Sequence, residues 1–282
     1  MSTGGRKIDR TARKLNEARR KIDHAERRVE REMERAQREV ERALGPIWAR
    51  PEPGARRARF TREQIAEAAL AVADKDGFDA VSMRRVASEL GAGTMTLYHY
   101  VQTKDERVAL MDNAIMGELL IPDGQMPADW REALTLIARR TRDAFARHPW
   151  SLLHAMDDAQ MGPNSIQHIE QSVAAVAGLE LDLTTTFEII GLVDEYVFGY
   201  AMRRRVSGPE DPHARDRWLR HMSAYIDAEI ATGDYPHLEG MIPDGGIAAV
   251  WERVQAAEAA DDRFERGLTR LLDGIELDLK RR

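Results

Sequence analysis

Apolar residues recur at helical spacing along nearly the whole chain, with no strand-like alternation and no internal repeat. Over residues 6–44, Ile8, Leu15, Ile22, Val29, Ala36 and Ala43 return every seven positions. Ala18, Ala25, Met33, Val40 and Ile47 supply a second apolar position. This predicts one long, charged helix with a narrow heptad stripe. Glu17 to Lys21, Asp23 to Arg27 and Glu34 to Arg38 have the favourable i,i+4 order. Gly45-Pro46 ends the helix, and Trp48 to Gly54, with Pro51 and Pro53, reads as a stiff extended linker.

Three short helices follow. Thr61 is a candidate N-cap with Gln64 as its capping-box partner, and Ile65, Ala68, Ala69, Val72 and Ala73 continue at helical spacing to a stop at Gly77. Ser82 caps a second helix carrying Val86, Ala87 and Leu90 inward. Gly91 and Gly93 give a tight turn, and Thr94 opens a third helix of two turns. Leu97 and Val101, at i and i+4, fasten it to the first two, leaving Met95, Thr96, Tyr98 and His99 on or beside the outward face. This is the pattern of a helix-turn-helix, a motif that places a short helix in the DNA major groove. A further helix runs from Lys104 through Val108, Leu110, Met111 and Ile115 to a break at 121–124. Glycine and proline breaks then divide the rest into helices over 128–148, 164–177, 183–205, 212–232, 246–258 and 261–279. The fold class expected is all-α.

The stretch from Phe60 to Arg107 resembles the DNA-binding domain of the TetR family of transcriptional regulators. The likeness lies in "TREQIAEAALAVADKDGFDAVSMRRVASELGAG" and most specifically in "TLYHYVQTKDE". It implies that Thr94, Met95, Thr96 and His99 touch base edges, and that Arg84 reaches a base or phosphate. It implies that Tyr98, Tyr100 and Lys104 hold phosphates. Threonine can meet a base edge or a thymine methyl, whereas Tyr hydroxyls and Lys ammonium groups position the protein without reading sequence. Arg56, Arg57 and Arg59 precede the first helix, where an arginine-rich arm can enter a minor groove or bind phosphate.

The resemblance also implies that the all-α second domain holds a small-molecule pocket and a two-fold dimer interface built from two helices per subunit. Phe264, Leu268, Leu271, Leu272 and Ile275 form one apolar stripe suited to that interface. Phe187, Ile190, Gly191 and Asp194, on the helix from Leu183, form the other. Trp130, Phe145, Trp150, Met156, Met161, Tyr196 and Met202 are candidate pocket residues. His154, Asp157, Asp158 and His168 invite a metal reading, but no pair has close helical ligand spacing, so neither metal nor cofactor is expected.

Composition narrows the classes. The 282 residues contain no cysteine, which excludes disulfides, thiolate zinc sites and cysteine nucleophiles. No apolar run has the length of a membrane span, and the N-terminus is charged rather than signal-like, so a cytoplasmic protein with no membrane partner is expected. The net charge of −6 conceals a polarity. Residues 1–50 carry 15 basic and 9 acidic side chains, residues 51–107 carry 9 and 9, and residues 108–282 carry 18 and 30. The positive end adjoins the reading head, which favours attraction of DNA there.

Four segments are therefore expected: a helical extension over 1–50, a Pro/Arg-rich arm over 51–59, the reading head over 60–107 and an effector-binding and dimerisation domain over 108–282. The extension, longer than the short arm usual in the family, has three open readings: a coiled coil, a basic arm that adds phosphate contacts through residues such as Arg6, Lys7 and Arg10, or a solvated single helix. The function expected is a homodimeric repressor that leaves a palindromic double-stranded operator when a small-molecule effector binds. A coiled-coil assembly protein with an incidental helix-turn-helix is the alternative. An enzyme is not expected, because Gly-rich phosphate loops and nucleophile elbows are missing and the pair Glu188 and Glu195 is common among structural carboxylates.

Overall fold

Local capping decides where the first helix begins. The Gln64 N–H donates to the Thr61 hydroxyl at 3.2 Å and the Thr61 N–H to the Gln64 side chain at 3.0 Å, a closed capping box. Helix α1, Arg62–Asp76, follows, and Gly77 ends it at φ 87°. Ser82 caps α2, Met83–Glu89. Gly91, at φ 61°, ends α2 in a Schellman turn: its N–H donates to Ser88 O and that of Ala92 to Ala87 O. Helix α3, Thr94–Leu97, is shorter than its two expected turns. Bonds from the Tyr100 and Val101 N–H groups back to Leu97 O, at 2.9 and 3.0 Å, carry the coil onward.

The structure, a computed structural model, describes residues 46–51, 59–153, 161–207, 212–242, 246–260 and 262–281. The heptad-striped stretch 6–44, and Arg56, Arg57, His154, Met156, Asp157 and Asp158, lie outside these. The chain divides into two compact units, and the division falls within α4, Lys104–Leu119, between Ala114 and Ile115.

In the first unit Ile65, Ala69, Val72, Val86, Leu97 and Val101 close a small core, all essentially without solvent contact. Ile47 is buried as fully as any of them, in a short 3-10 turn over Ile47–Ala49. The sequence pattern suggests a free extended linker from Trp48. Its described beginning is instead folded, because burying Ile47 removes an isoleucine side chain from water.

The second unit is a helical bundle. Its elements are the end of α4, then α5, Trp130–Arg147; α6, Pro163–Val176; α7, Leu183–Ser207; α8, Pro212–Ile230; α9, Pro236–Glu239; α10, Gly246–Ala259; and α11, Arg263–Leu279. All but α9 match the expected helices to within two residues. Asp129 caps α5 by accepting from Arg131 and Glu132 N–H groups at 3.0 Å. Leu134, Ile137 and Ala138 of α5, Ile189, Val193 and Val197 of α7, and Phe264, Leu268, Leu272 and Ile275 of α11 form one core. At the edge Arg139 grips Glu265 with two nitrogens, and Arg131 meets Asp273 and Glu276. No strand occurs among the described residues.

Candidate nucleic-acid interface and effector cavity

Leu97 and Val101 anchor one side of the recognition helix and its following turn, which fixes what the other side presents. Met95 is 75% exposed, Tyr98 and His99 are exposed, and Thr94 and Thr96 are half-buried beside them. Arg84 and Lys104 are exposed as well. The next residue to Arg84 differs: Arg85 bonds Asp76 at 3.1 Å and Glu89 at 2.9 Å, and the Asp76 hydrogen bond leads the effects that raise its pKa. Of the two neighbours, Arg84 is the one outside that network of carboxylates. Arg59 is exposed, with a guanidinium nitrogen 3.3 Å from Gly91 O in the helix-turn-helix turn.

Tyr100, the other tyrosine expected at phosphate, lies in a different environment from Tyr98. It is buried, and its hydroxyl accepts from the Phe60 N–H at 3.5 Å. The short α3 turns this residue back toward the core, whereas Tyr98 remains outside.

Pattern reading misses a second group of residues in this unit. Arg62 is buried, and one of its nitrogens donates to Ile47 O at 2.8 Å and Arg50 O at 2.9 Å. Arg50 forms an ion pair with Glu106, which is 1% exposed. The other Glu106 oxygen accepts the Gln102 N–H at 2.7 Å. One signal was present: an arginine at the first position of a helix meets the positive end of the helix dipole, a place it normally avoids.

In the second unit, a cavity of about 450 Å³ opens between α5 and α7. Arg142, Asp143, Phe145 and Ala146 line one side, Pro149 and Leu152 the turn that follows, and Tyr200, Ala201, Arg204 and Arg205 the other. Of the described residues expected in a pocket, Phe145 alone lines it. Trp130 and Tyr196 pack against the core, Trp150 is buried in the turn after α5, Met202 is half-buried, and Met161 is exposed. The cavity wall mixes apolar side chains, Phe145, Leu152 and Tyr200, with the guanidinium groups of Arg142, Arg204 and Arg205. His168 is half-buried, and burial lowers its pKa. Among the described residues, no three potential ligand side chains gather for a metal.

The expected dimer stripes also divide. Phe264, Leu268, Leu272 and Ile275 lie in the core of their own unit. Leu271 is half-buried. On α7 Phe187 is 48% exposed, Ile190 and Gly191 are half-buried and Asp194 is exposed. Between α7 and α11 runs a groove of about 310 Å³, with Leu192, Leu271, Gly274 and Leu279 among its walls.

The family model for bacterial regulatory proteins of the tetR family matches residues 65–108, and the model for the tetracyclin repressor-like C-terminal domain matches residues 123–279. The chain belongs to the TetR family. It is a DNA-binding transcriptional regulator, with its helix-turn-helix in the first unit. It is 31% identical over 229 residues to the HTH-type transcriptional repressor DrrR1 of Streptomyces coeruleorubidus, covering 81% of each chain. Among solved structures it is similar to apo ActR from Streptomyces coelicolor, a TetR family protein, at 25% identity and a TM-score of 0.61, over 80% of this chain and 99% of that one. ActR in complex with (S)-DNPA is similar at 25% identity and a TM-score of 0.58, over 79% of this chain and all of that one. These family features make the helix-turn-helix central to the protein rather than incidental. No helix among the described residues is long and apolar enough to cross a membrane.

Proposed function

We propose that this TetR-family chain is a homodimeric repressor that binds a palindromic operator and is released by a small organic effector. The observation that carries the reading is the outward row Met95, Tyr98 and His99, flanked by Thr94 and Thr96, on a turn whose Leu97 and Val101 are buried. Two such helices about one DNA turn apart, roughly 34–36 Å, would read two half-sites. Thr94, Met95, Thr96, His99 and Arg84 are the base-reading set, and Tyr98, Lys104, Arg56, Arg57 and Arg59 the phosphate set. The repressor name of DrrR1 supports repression.

The exposed face of α7 at Phe187, Ile190, Gly191 and Asp194, with Leu271 of α11, is the dimer contact in this reading. The cavity between α5 and α7 is the effector site. Its volume lies in the range of small-molecule pockets, and the similar ActR holds (S)-DNPA. Phe145 and Tyr200 offer ring faces, and Arg142, Arg204 and Arg205 outnumber Asp143. That lining suits a planar, negatively charged organic molecule. An effector that prefers a conformation with another helix spacing would shift the population off the operator. The protein carries out no catalysis and works in the cytoplasm.

Selection of bound fragments from genomic DNA tests the reading. Enrichment of a two-fold repeat with half-sites about one helical turn apart is the expected result. Recovery of fragments without any shared sequence would end it.

A further inference from the structure

The segment just before the helix-turn-helix touches the place where the recognition helix hands over to α4. Ile47 is sealed into the core of the unit, and Arg62 ties down the carbonyls of Ile47 and Arg50. Arg50 is thereby held beside Glu106, in the first turn of α4. Glu106 in turn grips the Gln102 backbone at 2.7 Å, and its own N–H donates to the Thr103 hydroxyl at 3.1 Å. Gln102 and Thr103 are the whole connection between Val101, buried under the recognition helix, and Lys104, exposed.

A carboxylate this buried is costly unless paired. Arg50 supplies the counter-charge, and Glu106 spends its second oxygen on the connecting loop. We propose that Arg50 and Glu106 are positioning residues of the DNA reader: they fix the Gln102–Thr103 loop, and through it the relation of the recognition helix to Lys104, without touching DNA. The reading head then includes Ile47 and Arg50, upstream of the helix-turn-helix. The inference rests on the DNA-reading function proposed above.

Direct and indirect roles predict opposite signs for Glu106→Gln and different salt slopes for Arg50→Ala. If electrostatics toward DNA dominated, Glu106→Gln would remove a negative charge and tighten binding, and Arg50→Ala would remove a phosphate contact. Losing one such contact lowers the slope of log K against log salt by about 0.9. If the pair positions the loop, both substitutions weaken operator binding with the salt slope unchanged.

The test uses the full-length chain and the operator recovered by fragment selection, titrated over a series of salt concentrations. Arg50→Ala and Glu106→Gln are each expected to weaken binding about tenfold at a parental slope, with Arg50→Lys recovering part of the loss. Faster hydrogen exchange at the Gln102 amide in Arg50→Ala is the accompanying signature, and it remains readable if Glu106→Gln does not fold. Parental affinity and parental Gln102 exchange in Arg50→Ala would overturn the inference, as would a reduced salt slope in Arg50→Ala together with tighter binding by Glu106→Gln. Failure of the parent itself to prefer any sequence would instead remove the DNA-reading function.

Discussion

Tyr98 and Tyr100 stand two positions apart on the turn after the recognition helix, one 43% exposed and the other 5%. The same side-chain chemistry is thus split between surface and core. Tyr98→Ala is expected to weaken binding to all DNA sequences by about tenfold, roughly 1.4 kcal/mol, with an unchanged melting temperature. Tyr100→Ala is expected to destabilise the first unit by about 3–5 kcal/mol, the usual cost of removing a buried aromatic ring. Fluorescence anisotropy and denaturant unfolding separate the two effects.

Thr96 and Lys104 divide reading from holding. Thr96→Ala is expected to relax operator preference by about 1–3 kcal/mol at one base pair, seen with single-base operator variants. Lys104→Ala is expected to weaken specific and non-specific binding alike and to lower the salt slope by about 1. A Thr96→Ala protein with parental preference at every position would remove Thr96 from the base-reading set.

How far these roles were legible in the sequence depended on the range of the interaction. Thr61, Ser82 and Gly91 act within a few residues of themselves, so their caps and turn could be placed in advance. Ile47 was visible as an apolar position, but its burial depends on Arg62, and the Arg50 pair spans 56 positions. Periodicity carries no information about such pairs. The stripe on α11 shows a related limit. A helix face that is apolar must be covered, but the pattern is the same whether α5 and α7 cover it or a second subunit does. The cavity was harder still, because its walls come from α5, the turn after it and α7, which only the folded chain brings together.

Tyr196 and Gly267 test the packing of that bundle. The Tyr196 hydroxyl donates to Phe264 O at 2.8 Å, and a Cβ at Gly267 would collide with the same hydroxyl. Gly267→Ala is expected to cost about 1–3 kcal/mol through overpacking, despite the better helix propensity of alanine. Thermal unfolding measures it, and Gly267→Ala combined with Tyr196→Phe should recover part of the loss.

Glu118 gives the second unit an acid-sensitive link. Burial alone would raise its pKa, but hydrogen bonds from Arg147 at 2.6 Å and His148 at 3.1 Å outweigh that and hold it below the ordinary 4.5. A carboxyl depressed in the folded state adds stability above its unfolded pKa and loses it as the pH falls through the folded one. The melting temperature is therefore expected to fall as the pH drops below about 4.5. In Glu118→Gln that part of the fall should vanish, leaving a lower but flatter profile.

Arg204 and Arg205 test the effector site. Arg204→Ala and Arg205→Ala are expected to leave operator affinity unchanged while raising the concentration of a planar organic anion needed for release, each by about tenfold if one charge-assisted hydrogen bond is lost. A screen of aromatic carboxylates in an operator-release assay supplies the probe. Equal sensitivity of both variants and the parent to an active compound would move the effector elsewhere.

The burial of Ile47 against residues far along the chain also sets an order of events during synthesis. The segment carrying Ile47 and Arg50 leaves the ribosome before the residues it must dock against. Its partners Arg62 and Glu106 arrive later, so Ile47 waits exposed while α1, α2 and α3 form behind it. Closure of the reading head is thus a late, non-local step, of the kind that slows folding and leaves apolar surface open in the interval. A ribosome paused before residue 106 would carry a helix-turn-helix already spelled out in full, yet still missing the acid that pairs with Arg50.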